Sequence, residues 1–359
     1  MTTRNSQLLD LYSDYLIASF SQATATGLSR LVDNLSHDQV TRFLGGQELT
    51  DHDLWRIVKP HIRHIESNDA VLILDDIVEE KPYTDESELI NWHFDHTVNR
   101  SAKGINLVSA LYFIRKTELF TDPKTGKDRW QSPVTKNEVA RQMVAGAVKQ
   151  RILFRYVLAD TWFSAADNLV FIKNTTGKDF IIPLKSIRNV FLAAPSAKTG
   201  KSVKLTSLDF DANALQTLWL EEVPFPLLVS RQVFKNENGS EGILCLCTSD
   251  LTLSASTLST LYQKRWSATW DKWAGKIEEY HKSLKSNTSF SKSPTHKIRS
   301  QINHLFASVV ACIKLEVCRY TTHLNHFAQK AKLYQAALAS AFAQLQVPKA
   351  TVPRATIIT

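Results

Sequence analysis

The stretch AVLILDD, residues 70–76, predicts a buried strand within an α/β sheet. Five apolar residues in succession are followed directly by two carboxylates. FRYVLAD, residues 154–160, has the same pattern of a short apolar run followed by a carboxylate, here Asp160. A carboxylate at the end of a buried strand is costly unless a turn, a cation or a metal ion offsets its charge. The two stretches therefore predict acidic side chains at two strand ends, which can converge on one site when the strands are neighbours.

Each acidic position leaves an alternative open. Side-chain alternation along a strand lets only one of Asp75 and Asp76 point into a given site, and Asp76 is the preferred candidate. Asp75 is the alternative. The competing interpretation for Asp76 and for Asp160 is that each caps the turn or helix that follows, a common role of aspartate.

A third carboxylate is expected from the segment YQKRWSATWDKWAGKIEEYHKSLK, residues 262–285. Its second half predicts a helix on which Glu278, Lys282 and Lys285 lie on one stripe, so that acid and base alternate along that face. Glu278 is the candidate metal ligand, with Glu279 as the alternative, and the two lysines are candidates for contacts with phosphate. The competing interpretation is a set of ion pairs within one helix.

The order of the predicted elements indicates a mixed α/β sheet flanked by helices. Residues 1–66 have apolar residues at helical spacing, with Ser36 as a predicted N-cap, Gly45-Gly46 as a helix end and Thr50 as the next cap. This helix–turn–helix pattern is typical either of a DNA-binding motif or of a plain helical hairpin. Strands in succession and then strands alternating with helices follow, which is the pattern of a mixed sheet.

Composition favours a polyanionic partner. The chain of 359 residues carries a formal net charge of +8, which favours polyanionic partners, nucleic acid first, although many soluble proteins are basic without binding DNA. Its four cysteines lack the spacing of a zinc site. We expect a cytoplasmic protein with no membrane partner, because no apolar run reaches the roughly 18 residues of a membrane span and no signal peptide pattern is present.

Several motifs together resemble one known family, the DDE transposases of bacterial insertion sequences, in particular the insertion-sequence-four family. That family has the C-terminal signature Tyr-x2-Arg-x3-Glu-x6-Lys. The resemblance covers nearly the whole chain. The motifs that carry it are LILDD, INWHFDHTVNRSAKGINLVSALYF, TDPKTGK with SPVTKNE, FRYVLADTWFSA, and YQKRW with IEEYHKSLKSN.

The resemblance implies a metal-dependent enzyme that cleaves and transfers DNA strands at the ends of an insertion sequence. Its catalytic and metal-binding residues would be Asp76, Asp160 and Glu278, which would hold two Mg²⁺ or Mn²⁺ ions. Tyr262 and Arg265 would contact DNA phosphates beside Lys282 and Lys285. The partners would be double-stranded DNA, as terminal inverted repeats and target, and a second copy of the chain in a homodimer on DNA. In a bacterial cell the protein would associate with the nucleoid.

The resemblance also implies an RNase H-like catalytic fold interrupted by a β-rich insertion. The expected organisation is a helical DNA-binding region at 1–66, the first part of the catalytic core at 67–178, the insertion at 179–253, a segment with the catalytic helix and C-terminal helices at 254–346, and a tail at 347–359.

One spacing departs from the family signature. Twelve residues separate Arg265 from Glu278, where the signature has three. On an unbroken helix the nine additional residues would turn the two side chains to opposite faces. The alternative function is therefore a catalytically impaired, transposase-like DNA-binding protein.

Overall fold

The computed structural model describes residues 2–95, 100–109, 113–114, 118–121, 125–194, 202–208, 211, 214–235, 241–265 and 277–351. Contacts between Cα atoms divide the chain into two compact units. The first unit combines Met1–Ile57 with Tyr280–Thr359, and the second is Val58–Glu279. The predicted mixed α/β class is confirmed.

The described part of the chain has ten α-helices. They are α1 (Thr3–Ala18), α2 (Ala25–Ser29), α3 (His37–Gly45), α4 (Asp51–Ile65), α5 (Lys136–Lys149), α6 (Ala166–Val170), α7 (Ala255–Gln263), α8 (Ile277–Asn287), α9 (Ile298–Thr322) and α10 (His326–Thr351).

Within the described residues there are also fourteen strands. They are β1 (Val71–Ile73), β2 (Asp75–Glu80), β3 (Asn91–Asp95), β4 (Arg100–Ser109), β5 (Phe113–Ile114), β6 (Glu118–Thr121), β7 (Asp128–Gln131), β8 (Tyr156–Leu158), β9 (Asp179–Leu184), β10 (Asn189–Val190), β11 (Val203–Lys204), β12 (Leu215–Leu218), β13 (Leu227–Lys235) and β14 (Glu241–Thr248).

The helix ends follow the predicted caps. Ser36 caps α3 in a capping box with Gln39, and the helix ends at Gly46 as expected. Thr135 forms a capping box with Glu138 at the start of α5. These local signals were readable because a capping side chain bonds to backbone only three residues away.

The first unit is helical, and α9 is its most deeply buried element. Tyr12 on α1 shares a 2.9 Å hydrogen bond with Nδ1 of His304 on α9. The side-chain amide of Asn303 donates to the carbonyl of Leu44 at 2.9 Å, where α3 ends. α9 is long and apolar enough to cross a membrane, but 72% of its most apolar window is buried, as in the core helix of a soluble protein. Length and composition are therefore weak evidence for a span.

The second unit is built on a sheet in the order β1-β8-β9-β14-β13-β12. β1, β8 and β9 are parallel, and the remaining pairs are antiparallel. β9 and β12 to β14, which lie within residues 179–253, continue the sheet that β1 and β8 begin. The predicted hairpin between β13 and β14 is present as an antiparallel pair, whereas its turn at 236–240 lies outside the described residues.

One continuous stretch of chain links this sheet to a second one. The backbone N–H of Leu74 still donates to the carbonyl of Leu158 at 2.8 Å, next to the parallel pairing of β1 with β8. From Asp75 onward the chain pairs instead with β4 in an antiparallel ladder. We call this point, residues 74–76, the strand switch.

The strand switch corrects the expectation that Asp75 and Asp76 end a strand. They are the first two residues of β2. The chain stays extended because β4 supplies new hydrogen-bonding partners as soon as β8 stops doing so. Most of the motif WHFDH, residues 92–96, lies on β3, which pairs with β4.

Different helices cover the two faces of the parallel strands. Val157 packs in a core with residues of α5 and α6, such as Val144 and Leu169. Its neighbours on β8, Tyr156 and Leu158, pack on the other face with Leu258 and Tyr262 of α7. The alternation of a strand thus decides which helix each β8 side chain meets. We call these the α5 face and the α7 face.

Candidate active site

The strand switch brings Asp75 level with Asp160. β1 pairs in parallel with β8 so that Ile73 lies opposite Leu158. Asp75 and Asp160 each lie two residues further along the polypeptide, and by strand alternation their side chains are on the same face as those of Ile73 and Leu158. Both of those apolar residues belong to the core beneath α7. The two carboxylates therefore lie on the α7 face, beyond the end of the same apolar layer.

Arg265 lies beside this pair. Its Nη2 is 3.1 Å from Oδ1 of Asp75, and its Nη1 donates to the hydroxyl of Tyr262 at 3.3 Å. Arg265 is only 2% exposed, and Tyr262 is also buried. Tyr262 in turn donates a long 3.5 Å hydrogen bond to the carbonyl of Ala159, the residue before Asp160. The end of α7 therefore places a buried guanidinium against the strand switch.

Asp76 points to the α5 face and has different partners. Leu74, which precedes it by two residues, belongs to the core with α5. Oδ2 of Asp76 lies 2.6 Å from Nζ of Lys136, the first residue of α5, and accepts a 2.7 Å hydrogen bond from Nδ2 of Asn106 on β4. The positive charge of Lys136 and the amide donor of Asn106 together stabilise this carboxylate.

Asp160 has a capping role at the same time. Its Oδ1 accepts a 2.9 Å hydrogen bond from the backbone N–H of Trp162, at the start of the 3₁₀ turn Thr161–Phe163. The capping interpretation of Asp160 is thus correct, and it is compatible with a place beside Asp75. Trp162 is 44% exposed, and its ring centroid lies 5.6 Å from the ammonium of Lys136.

The electrostatics of the α7 face show a shortage of positive charge. Burial raises the pKa of Asp75 to about 6, Arg265 lowers it, and the charges of Asp160 and Asp76 raise it. Burial also raises the pKa of Asp160, opposed by Arg265 and reinforced by Asp76. Burial lowers the pKa of Arg265, but Asp75, Tyr262 and Asp160 raise it above its ordinary value. One cation does not fully compensate the two acids near it.

The remaining predicted residues lie on α8. Glu278 is exposed in the first turn of the helix and belongs to the second unit. Lys282 and Lys285 belong to the first unit, where the ammonium of Lys282 lies 5.5 Å from the ring of Phe327. The segment 266–276, most of the insert between Arg265 and Glu278, lies outside the described residues. Whether it loops out stays a prediction.

The donor chemistry at the strand switch suits a hard divalent cation. Carboxylate oxygens are the protein ligands that Mg²⁺ and Mn²⁺ prefer, and a cation beside Asp75 and Asp160 would offset the burial and the neighbouring acidic charges that raise the pKa of each. Nevertheless, among the described residues no group of three or more His, Cys, Asp or Glu side chains is arranged to hold a metal ion. Arg265 contacts Asp75, and Lys136 contacts the neighbouring Asp76.

Two site residues were missed from the sequence, Lys136 and Asn106. Asn106 sits in the middle of a strand and gave no signal, because only the pairing of β4 with β2 brings it to Asp76. Lys136 did carry a weak signal. A lysine in the first turn of a helix faces the positive end of the helix dipole, so its presence indicates a nearby acid.

Comparison with known proteins identifies the family. A family model described as DDE superfamily endonuclease matches residues 1–205, a range that includes Asp75, Asp76 and Asp160 and stops before Arg265. No curated protein matches the chain. Since the match covers more than half of the 359 residues, the chain belongs to the DDE superfamily endonuclease family.

Proposed function

We propose that this protein is a transposase of the insertion-sequence-four type, which cleaves and transfers DNA strands at the ends of its element with the help of divalent metal ions. The observation that carries the proposal is the meeting of Asp75 and Asp160 at the strand switch of a DDE-family chain. Two acids that repel each other at a strand edge are stabilised by added positive charge, which is the arrangement a metal-dependent nuclease needs.

Connectivity supports an RNase H-like core. The chain pairs first through β1 with the parallel β8 and then through β2 with the antiparallel β4, and β9 follows β8 in parallel. α5 lies between β4 and β8 in sequence and packs on the sheet. We propose that the first acidic residue lies where β1 continues into β2 and that the second lies just beyond the end of β8, the parallel partner of β1.

The acids have distinct proposed roles. Asp160 and Glu278 are proposed ligands, and Asp75 is the first-strand ligand that the parallel register favours. Asp76, the residue preferred from the sequence, lies on the α5 face with Lys136 and Asn106, and it stays a candidate that substitution must separate from Asp75. When bound, the metal ions would activate the attacking oxygen and stabilise the leaving oxygen.

DNA is the proposed substrate, as terminal inverted repeats and target. The net charge of +8 supports this. Lys282 and Lys285, with Tyr262 and Arg265, are the proposed phosphate contacts. A homodimer on DNA and a cytoplasmic, nucleoid-associated location remain part of the proposal.

The alternative function is a catalytically impaired DNA-binding protein. The long spacing between Arg265 and Glu278 favours it, as does the finding that no group of three acids among the described residues is arranged to hold a metal ion. In this alternative the protein binds the element's ends without cleaving them.

Cleavage of the element's own terminal repeats in the presence of Mn²⁺ separates the two functions. We expect nicking by the wild type, and end binding without nicking by Asp160→Ala. Asp167→Ala is the matched control, because Asp167 is an exposed aspartate on the adjacent α6. End binding with no nicking by the wild type would support the alternative. Equal nicking by wild type and Asp160→Ala would remove Asp160 from the active site.

A further inference from the structure

We propose that Arg265 occupies the place of a metal ion between Asp75 and Asp160, and that metal binding expels its guanidinium from the strand switch. This inference rests on the proposed metal-dependent function. In the metal-free protein, the ion pair of Arg265 with Asp75 would keep the site closed.

The contacts of Arg265 support a stand-in role. Its guanidinium lies 3.1 Å from Asp75, and its electrostatic partners include Asp160 as well. It reaches this place from the end of α7, so the ion pair joins the α7 face of the sheet to the start of the insert. A buried cation between two acids occupies the position where a divalent ion would gain most from the same two charges.

Charge balance favours the exchange. Asp76 is paired with Lys136, and the charges of Asp75 and Asp160 both act on Arg265. Two carboxylates with one guanidinium keep one net negative charge. A divalent cation in place of the guanidinium brings the pair to neutrality, so the exchange removes the residual repulsion.

The position of Arg265 in the chain makes its release feasible. α7 ends at Gln263. Arg265 lies two residues later and is the last residue before the long insert. Its bond to Tyr262 is long, at 3.3 Å, and so costs little to break. Once expelled, the guanidinium is a phosphate ligand, because its planar fork matches phosphate oxygens. The buried ion pair and the predicted DNA contact of Arg265 are then two states of one residue.

Calorimetric titration of Mn²⁺ into the full chain without DNA tests the exchange. We expect Arg265→Met and Arg265→Gln to bind Mn²⁺ about tenfold more tightly than the wild type, because the metal no longer displaces a charged hydrogen bond. Arg155→Met is the matched control, since Arg155 pairs with a different aspartate, Asp250, and its variant should keep the wild-type affinity. Melting curves establish that each variant is folded.

Chemical labelling tests the same exchange in the wild type, where no substitution can disturb folding. Phenylglyoxal modifies accessible arginines, and we expect Mn²⁺ to accelerate the modification of Arg265 several-fold, as read by mass spectrometry. Arg155 is the internal reference, because its side chain is already half-exposed.

The outcomes distinguish this inference from the proposed function. Mn²⁺ binding with unchanged labelling of Arg265, or with equal or weaker affinity in folded Arg265 variants, overturns the exchange and leaves the metal-dependent function standing. If the wild type and both variants all fail to bind Mn²⁺, the metal-dependent function fails and the exchange fails with it.

Discussion

Two clusters with the same three residue types lie near opposite ends of β8, and they differ in almost every electrostatic respect. The active-site cluster contains Asp75, Arg265 and Tyr262, and the anchor cluster contains Asp250, Arg155 and Tyr156. Each has an aspartate paired with an arginine near a tyrosine. Identical composition therefore does not give identical chemistry.

The difference lies in what surrounds each carboxylate. Asp250 accepts hydrogen bonds from the Tyr156 hydroxyl at 2.7 Å, from Arg155 at 3.0 Å, and from both the backbone N–H and the hydroxyl of Thr252. Although burial acts in the opposite direction, these donors lower the pKa of Asp250 to about 2. Asp75 is buried near two further acids, and its pKa rises to about 6.

The comparison leads to the hypothesis that the Asp250 cluster stabilises the fold and that the Asp75 cluster holds charge for a ligand. A carboxylate with every lone pair satisfied contributes to stability in its ionised form. A buried carboxylate that faces other acids costs stability at neutral pH, and such sites are where ligands and catalysis are found. The following predictions test this division.

The largest expected effect is on catalysis. Asp75→Asn should reduce metal-dependent strand cleavage by about a thousandfold or more, because a ligand that helps stabilise transition-state charge is lost. Asp250→Asn should leave cleavage per folded molecule within about twofold of the wild type. The measurement is the single-turnover rate on terminal-repeat DNA. If Asp76→Asn lost cleavage and Asp75→Asn kept it, the first ligand would be Asp76.

The next effect is on stability and has opposite signs in the two clusters. Asp250→Asn should lower the free energy of unfolding by about 2–3 kcal/mol, since several donors lose a charged acceptor. Asp75→Asn should raise it by about 2–3 kcal/mol at pH 8, because a carboxylate with a raised pKa is replaced by a neutral isostere. Urea denaturation without metal measures both. A large destabilisation by Asp75→Asn would make the active-site cluster a structural one.

The pH dependence of stability should also run in opposite directions. The folded pKa of Asp250 is about 2 against an ordinary value of 3.8, so its contribution is present above pH 3.8 and is lost as the pH falls towards 2. The folded pKa of Asp75 is raised, so its contribution is greatest below pH 3.8 and is lost as the pH rises through 6. At about 1.4 kcal/mol for each pKa unit, the Asp250 change is worth about 2.5 kcal/mol and the Asp75 change about 3 kcal/mol.

Melting temperatures between pH 2 and pH 8 measure these two slopes. Asp250→Asn should flatten the acid limb, and Asp75→Asn should flatten the decline between pH 4 and pH 6. A single Asn variant that removed both slopes would show that the clusters titrate as one unit.

The smallest effect concerns the two tyrosine hydroxyls. Tyr156→Phe should cost about 1 kcal/mol of unfolding free energy, since it removes a 2.7 Å bond to an ionised carboxylate. Tyr262→Phe should change it by less than about 0.5 kcal/mol, because the hydrogen bonds of that hydroxyl with Arg265 and Ala159 are long, at 3.3 and 3.5 Å. Equal losses in the two variants would count against the division between the clusters.

Local signals predicted much of the fold. The capping boxes at Ser36 and Thr135, the helix end at Gly46 and the strands around residues 71 and 156 were readable, because each depends on residues close in sequence. The sequence did not predict where β1 ends and β2 begins. The sequence shows an apolar run followed by acids, but it does not show that β4 takes over the hydrogen bonds from β8.

Taken alone, the sequence determined the residue types of the active site and the family resemblance. The pattern of an apolar run that ends in carboxylates, which recurs at Asp160, is visible in a single sequence. Only the tertiary structure decided how those acids are divided. Strand alternation sends Asp75 to α7 and Asp76 to α5, and the parallel register then matches Asp75 with Asp160. These assignments depend on contacts between residues 60 or more positions apart, which no local pattern encodes.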